Sequence, residues 1–141
     1  MSSPHPDGIG AAQAMRAALR SAGLEARDID HINLHGTATR ANDLMEGRAV
    51  RSVFPEAVPC ASTKGWTGHC MGSSGIVEAL IAGLCITHDL LPGCLGMDAP
   101  DPDIPIAPSA RNSAARLDRV MSNSFGFGGI NVSLVLSRGG L

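Results

Sequence analysis

Apolar residues along the chain keep two rhythms, one of three to four positions and one of two, and the switches between them mark out the elements. Gly10 to Gly23 is filled with Ala, Met and Leu, with Met15 and Leu19 four apart, and it stops at a glycine suited to a helix C-cap. Ile29 to Leu34 alternates as a short strand and runs into His35-Gly36-Thr37. A second helix is expected to start near Asn42 or Asp43, whose side chains suit an N-cap. It would bury Met45, Ala49 and Val53 at intervals of four and end before Pro55. Val58 to Ser62 reads as another strand, Cys70 to Thr87 as a long apolar helix, and Leu90 to Leu95 as extended chain. Four prolines (Pro100, Pro102, Pro105, Pro108) make residues 98–108 a loop crossing a surface. Arg119 to Asn123 and Asn131 to Leu136 read as strands joined by Phe125-Gly126-Phe127-Gly128-Gly129. Helices alternating with strands predict an α/β layered fold, taken as one domain over residues 1–141. The chain opens on a turn (Pro4, Pro6, Gly8) and a helix, with no strand to start a sheet, as the interior of a longer protein would.

The Cys70–Thr87 stretch decides whether a membrane enters the picture. It is short of the ~20 apolar residues a span needs, and Glu78 near its middle opposes insertion. A helix buried in protein is the better reading. No basic, apolar leader precedes Gly23, so no signal peptide is expected, and a cytoplasmic protein is. Cys60, Cys70, Cys85 and Cys94 form no CxxC pair and read as small buried hydrophobes in a reducing compartment. A net charge of -2 without a basic block, and only three Phe, one Trp and no Tyr, offer nucleic acid neither an electrostatic nor a stacking surface.

Three loops carry the candidate chemistry: His35-Gly-Thr-Ala-Thr39, Ser62-Thr-Lys-Gly-Trp-Thr-Gly-His69 and Asn123-Ser-Phe-Gly-Phe-Gly-Gly129. Each follows or joins strands, where α/β sheets place functional groups. Singly they are weak: a histidine at a strand end is more often structural, and a glycine-rich loop can be a simple hairpin. His31 and His35 stand four apart on a strand rather than on a helix with an intervening Glu, which argues against zinc. Glu78 is the sharper signal, because an acid midway along an apolar helix must be paired, neutral or bound to a cation.

Together, and in this order, the loops resemble the C-terminal half of the β-ketoacyl-acyl-carrier-protein synthases of the thiolase superfamily, from about Pro6 to Arg138. The resemblance implies a thiolase-like layered fold, of which this chain would be the C-terminal half only. The implied reaction is decarboxylative Claisen condensation of an acyl thioester with malonyl-acyl-carrier protein, in fatty-acid or polyketide synthesis. By resemblance, His35 and His69 are the decarboxylating histidines and Lys64 organises the site electrostatically. Phe127 is the gating phenylalanine whose backbone N–H completes an oxyanion hole, with Gly126, Gly128 and Gly129 giving the loop freedom and Phe125 in the core. Thr37 and Thr39 match hydroxyls that hold the pantetheine arm, and Glu46 matches an acid expected to pair with Lys64. Asn33, Glu78, Ser122 and Asn123 would form an internal cluster, either holding a cation or as a purely structural polar network. Trp66 is bulkier than the residue many relatives carry there. No cofactor is implied beyond the 4'-phosphopantetheine borne by the acyl carrier protein, and no bound metal is assigned.

The family's nucleophilic cysteine belongs to the other half, and none of the four cysteines here sits in a matching motif. The expected partners are therefore an N-terminal synthase half and acyl carrier protein, in a homodimer when complete, with neither nucleic acid nor membrane. Two alternatives stand beside an active synthase: a non-catalytic chain-length-type partner subunit, and an inactive truncated fragment.

Overall fold

The computed structural model describes residues 5–139, apart from the Phe127 side chain. Helix α1 spans Ile9–Ala22 and ends at Gly23, which takes the left-handed conformation and closes the helix as expected. Strand β1 (His31–Asn33) follows, then α2 (Arg40–Val53), β2 (Cys60–Ala61) and a single turn of helix, α3 (Lys64–Thr67). Helix α4 runs Ser74–His88 behind a 3-10 turn at Met71–Ser73. The short strands β3 (Leu90–Leu91) and β4 (Ser113–Ala114) precede β5 (Arg119–Phe125) and β6 (Asn131–Ser137).

Four strands form one sheet in the order β2-β1-β5-β6, with β1 parallel to β2 and β5, and β5 antiparallel to β6. Strands β3 and β4 pair separately, antiparallel. Alternation along β5 divides its side chains between two cores. Met121 and Phe125 join Met15, Leu19, Ile32, Met45 and Val50 under α1 and α2. Val120 joins Ala82, Cys85, Ile86 and Leu117 under α4. The result is helix, sheet, helix.

Three expectations are corrected. Helix α2 begins at Arg40, not at Asn42 or Asp43: the Asp43 N–H donates to the Thr39 carbonyl at 2.9 Å, so Thr39 is the N-cap residue. Its hydroxyl makes no cap bond and turns to Thr37 instead. The long apolar helix starts at Ser74 rather than Cys70, because Met71 sits at φ 49 and breaks the helical path. Of the cysteines, Cys60 and Cys85 are buried while Cys70 and Cys94 are only partly so, all four as free thiols.

Candidate active site

The parallel strands deliver the three loops to one edge of the sheet. His35 and Gly36 leave the C-terminal end of β1, Ser62 and Thr63 leave β2, and β5 ends at Phe125 before the glycine-rich turn. Gly36 fits only because it lacks a side chain. It sits at φ +40, and a Cβ there would lie 2.5 Å from Ser62 Cβ. The Ser62 hydroxyl instead donates to the Gly36 carbonyl at 2.8 Å and pins the first loop to the second.

The His35 and His69 rings meet edge to face, with centroids 5.6 Å apart at 85°. Phe125 backs His35 at 5.9 Å while remaining part of the core. His35 is buried and His69 exposed. Lys64 Nζ lies 3.4 Å from His35 Nδ1 and forms a buried ion pair with Glu78, whose second oxygen accepts from Ser124 Oγ at 3.4 Å. An ammonium can only donate, so His35 Nδ1 accepts and the ring proton of neutral His35 sits on Nε2. The Met71 backbone N–H donates to His69 Nδ1 at 3.2 Å, which puts the His69 ring proton on Nε2 as well. Burial, then the Lys64 charge, then His69 push the His35 pKa down to about 4, so its imidazole is neutral near pH 7.

Glu46 does not pair with Lys64. Its carboxylate lies on the α1/α2 side of the sheet and accepts the His35 and Gly36 backbone N–H groups, each at 2.8 Å, and the Asn123 amide at 3.4 Å. Full burial raises its pKa to about 7, against the lowering effect of those donors. Lys64 takes Glu78 as its partner because α4 packs on the opposite face, where Lys64 reaches it.

The proposed four-residue cluster also divides. Ser122 and Asn123 are consecutive on β5, so their side chains leave opposite faces. Asn33 lies beside Ser122 and reaches the Glu78 carbonyl at 3.5 Å, whereas Asn123 accepts from Ser133 at 2.7 Å and donates toward Glu46. The four side chains therefore do not converge on one cation. Among the described residues no three His, Cys, Asp or Glu side chains gather as metal ligands. His31, buried, donates from Nδ1 to the Pro59 carbonyl at 3.1 Å and plays no part in the site.

Thr37 and Thr39 place their hydroxyls 2.9 Å apart on either side of Ala38 at the start of α2. Trp66 is exposed and donates from Nε1 to the Gly93 carbonyl at 3.1 Å. Gly126 is extended (φ -110) and its N–H donates to the Ile130 carbonyl at 2.8 Å, while Gly128 turns at φ 81. The gating role expected of the Phe127 side chain lies outside the described residues. Sequence reasoning missed Ser124, Thr63 and Ser74. Ser124 was within reach of the period-two pattern from Ser122, but Thr63, which donates to Asn33 at 3.4 Å, depends on how β2 and β1 pair. A cleft of about 520 Å³ opens instead among Ile29, Phe54, Pro59 and Leu117, without His35 or His69 in its wall.

Likenesses to known proteins bear on this constellation. The family model described as "Beta-ketoacyl synthase, C-terminal domain" matches residues 1–98. The chain belongs to the β-ketoacyl synthase family. This synthase domain is 42% identical over 141 residues to the mitochondrial 3-oxoacyl-[acyl-carrier-protein] synthase of Arabidopsis thaliana, covering 95% of the chain and 31% of the relative. It is 38% identical to 3-oxoacyl-[acyl-carrier-protein] synthase 2 of Vibrio cholerae, covering 98% and 35%. The chain thus spans about a third of the length of the curated relatives it matches.

Among solved structures it resembles the ishigamide ketosynthase/chain length factor with a TM-score of 0.91 at 35% identity, over 98% of this chain and 35% of that one. A ketosynthase in complex with its chain length factor from Xenorhabdus doucetiae matches with a TM-score of 0.86 at 43% identity, over 97% and 35%. The synthase domain therefore has the thiolase-like α/β fold, as the C-terminal half of it.

Proposed function

We propose that this chain supplies the decarboxylating half of a 3-oxoacyl-[acyl-carrier-protein] synthase. One observation carries the proposal: two imidazoles from separate loops meet at 5.6 Å, each with a donor on Nδ1 that leaves its proton on Nε2. Loss of carbon dioxide from a malonyl thioester leaves an enolate with its charge on the thioester oxygen. Fixed N–H donors aimed at that oxygen each lower the barrier by about 2.7–4 kcal/mol. His35 and His69 fill this role, and Lys64 keeps His35 in the donating tautomer while Glu78 balances the lysine charge. The enolate carbon then attacks an acyl thioester on a cysteine of the N-terminal half. A C–C bond forms, the C–S bond breaks, and the thiolate leaves. The Phe127 backbone N–H is assigned to the oxyanion of that step, and Thr37 and Thr39 to the pantetheine arm of the carrier protein, so no further cofactor is needed.

The partners under this reading are acyl carrier protein and an N-terminal half, in a homodimer, acting in the cytoplasm. Solved relatives are described as ketosynthases with a chain length factor and with an acyl carrier protein, which favours partners of these kinds. A chain-length-type subunit has less to support it, since His35, Lys64 and His69 are all present, with Lys64 bonded to His35 and the two imidazole rings in edge-to-face contact. The test is condensation of acyl- and malonyl-carrier protein. We expect no 3-oxoacyl product from this chain alone, and product when it is combined with the N-terminal half. Product from this chain alone, with a thioester on one of its own cysteines, would overturn the division of labour; none from the pair would overturn the synthase reading.

A further inference from the structure

Met71 is one of two donors that converge on His69. Ser74 Oγ lies 3.0 Å from the same Nδ1 and, among the described residues, has no other side-chain partner. The two donors come from different local structures. The Met71 N–H is presented by a turn held at φ 49, a backbone region that L side chains rarely adopt. Ser74 is the first residue of α4, is buried at 5% exposure, and is fixed by the packing of that helix on β5. An amide N–H set on a strained turn fixes which nitrogen accepts, but one bond leaves the imidazole free to pivot. A second donor from a packed helix removes that freedom.

We infer that Ser74 is a positioning residue: its hydroxyl donates to His69 Nδ1 beside the Met71 N–H, and the pair holds the Nε2–H tautomer in the orientation that meets His35. A hydroxyl has one hydrogen and two lone pairs, so the amide, which cannot reverse, decides the direction and the serine follows it. The helix itself does not require this hydroxyl, because the N-cap position belongs to Ser73. The catalytic consequence rests on the decarboxylating role proposed for His69, but the tautomer does not.

Long-range nitrogen-15 NMR of labelled histidine in the full synthase reads the tautomer directly, in the parent, Ser74→Ala and Ser74→Thr. Alanine is well tolerated in a first helical turn, so the fold is expected to survive. Loss of one neutral hydrogen bond should raise the Nδ1–H population of His69 roughly two- to tenfold in Ser74→Ala. Ser74→Thr, which keeps the hydroxyl, should return it toward the parent ratio. The Nε2–H form stays in the majority because the Met71 N–H remains, so the kcat for malonyl decarboxylation should fall a few-fold in Ser74→Ala through the freed pivot of the ring, with KM unchanged. An identical tautomer ratio in the parent and Ser74→Ala would overturn the inference. A shifted ratio with kcat unaltered would uphold the positioning role of Ser74 and count instead against His69 as a decarboxylating group.

Discussion

The Glu46 carboxyl group shows how one residue can hold the His35 loop without touching either imidazole of the site. Its two oxygens take the backbone N–H groups of His35 and Gly36, so Glu46→Gln must turn an amide group toward a backbone donor. The expected cost is about 1–3 kcal/mol, the penalty of a buried polar group left unpaired. That cost should depend on pH. With the folded pKa raised from 4.5 to about 7, the folded protein binds a proton the unfolded chain lacks in that window. This contribution is fully present below pH 4.5 and is lost as pH rises through 7, so the gap between parent and Glu46→Gln should narrow on going from acid to neutral pH. Denaturant melts at several pH values decide it, and a gap that widens would refute the assignment. His31 and His35 act in the opposite sense. Their folded pKa values near 4 mean the unfolded chain takes up protons first, so stability falls as pH drops from 6.5 toward 4. Much of this residue level was legible in the sequence: His35, Lys64, His69 and Glu78 were found and lie together. The Glu46 partner was not, because it lies eleven positions beyond His35, across loop and helix, and only the fold shows which face of the sheet it occupies.

Helix α4 ties the site to the core through Glu78. Lys64 and Glu78 are 7% and 2% exposed, so removing either leaves a buried charge without its partner. Glu78→Ala should cost about 3–5 kcal/mol, and a paired Lys64→Met, Glu78→Leu variant should recover most of that stability while losing the His35 contact. Thermal melts giving equal stability for parent and Glu78→Ala would place the pair on a solvated surface. A second element-level prediction concerns Gly47 inside α2. A Cβ there would lie 2.9 Å from Ile104 and 3.0 Å from Pro105, so the proline-rich loop crosses the helix at this point. Gly→Ala in a helix interior ordinarily stabilises by roughly 0.5–1 kcal/mol, but Gly47→Ala should destabilise by about 1–3 kcal/mol through overpacking. A stabilised variant would mean the loop yields freely. The longer elements were readable from period alone, as α1 with 14 residues and β6 with seven show. Leu90 to Leu95 reads as extended and holds β3, but β4 and its pairing with β3 were not legible, since that pairing is set by contacts across the loop and not by local pattern.

Taken as a whole, the fold is finished on one side and open on another. Ile76, Leu80 and Leu84, four apart on α4, are exposed at 61%, 63% and 56%, and Val132 and Leu134 stand exposed on the face of β6 that turns toward α4. A helix expected to be covered all round thus has its inner face on the sheet and its outer stripe free. The chain spans about a third of the length of its relatives, and under the proposed function we expect the N-terminal half to cover this stripe. Alone, the chain should self-associate, and Leu80→Lys with Leu84→Lys should return it to a monomer in size-exclusion chromatography. A compact parent monomer at micromolar concentration would contradict that. The central claim is that His35 and His69 stabilise the malonyl enolate, and single-turnover kinetics of the complete synthase test it most directly. His35→Ala and His69→Ala should each slow carbon dioxide release by about 100-fold or more while leaving acylation of the cysteine within a few-fold of the parent. Decarboxylation near the parent rate in either variant, or an equal loss in both steps, would contradict the account.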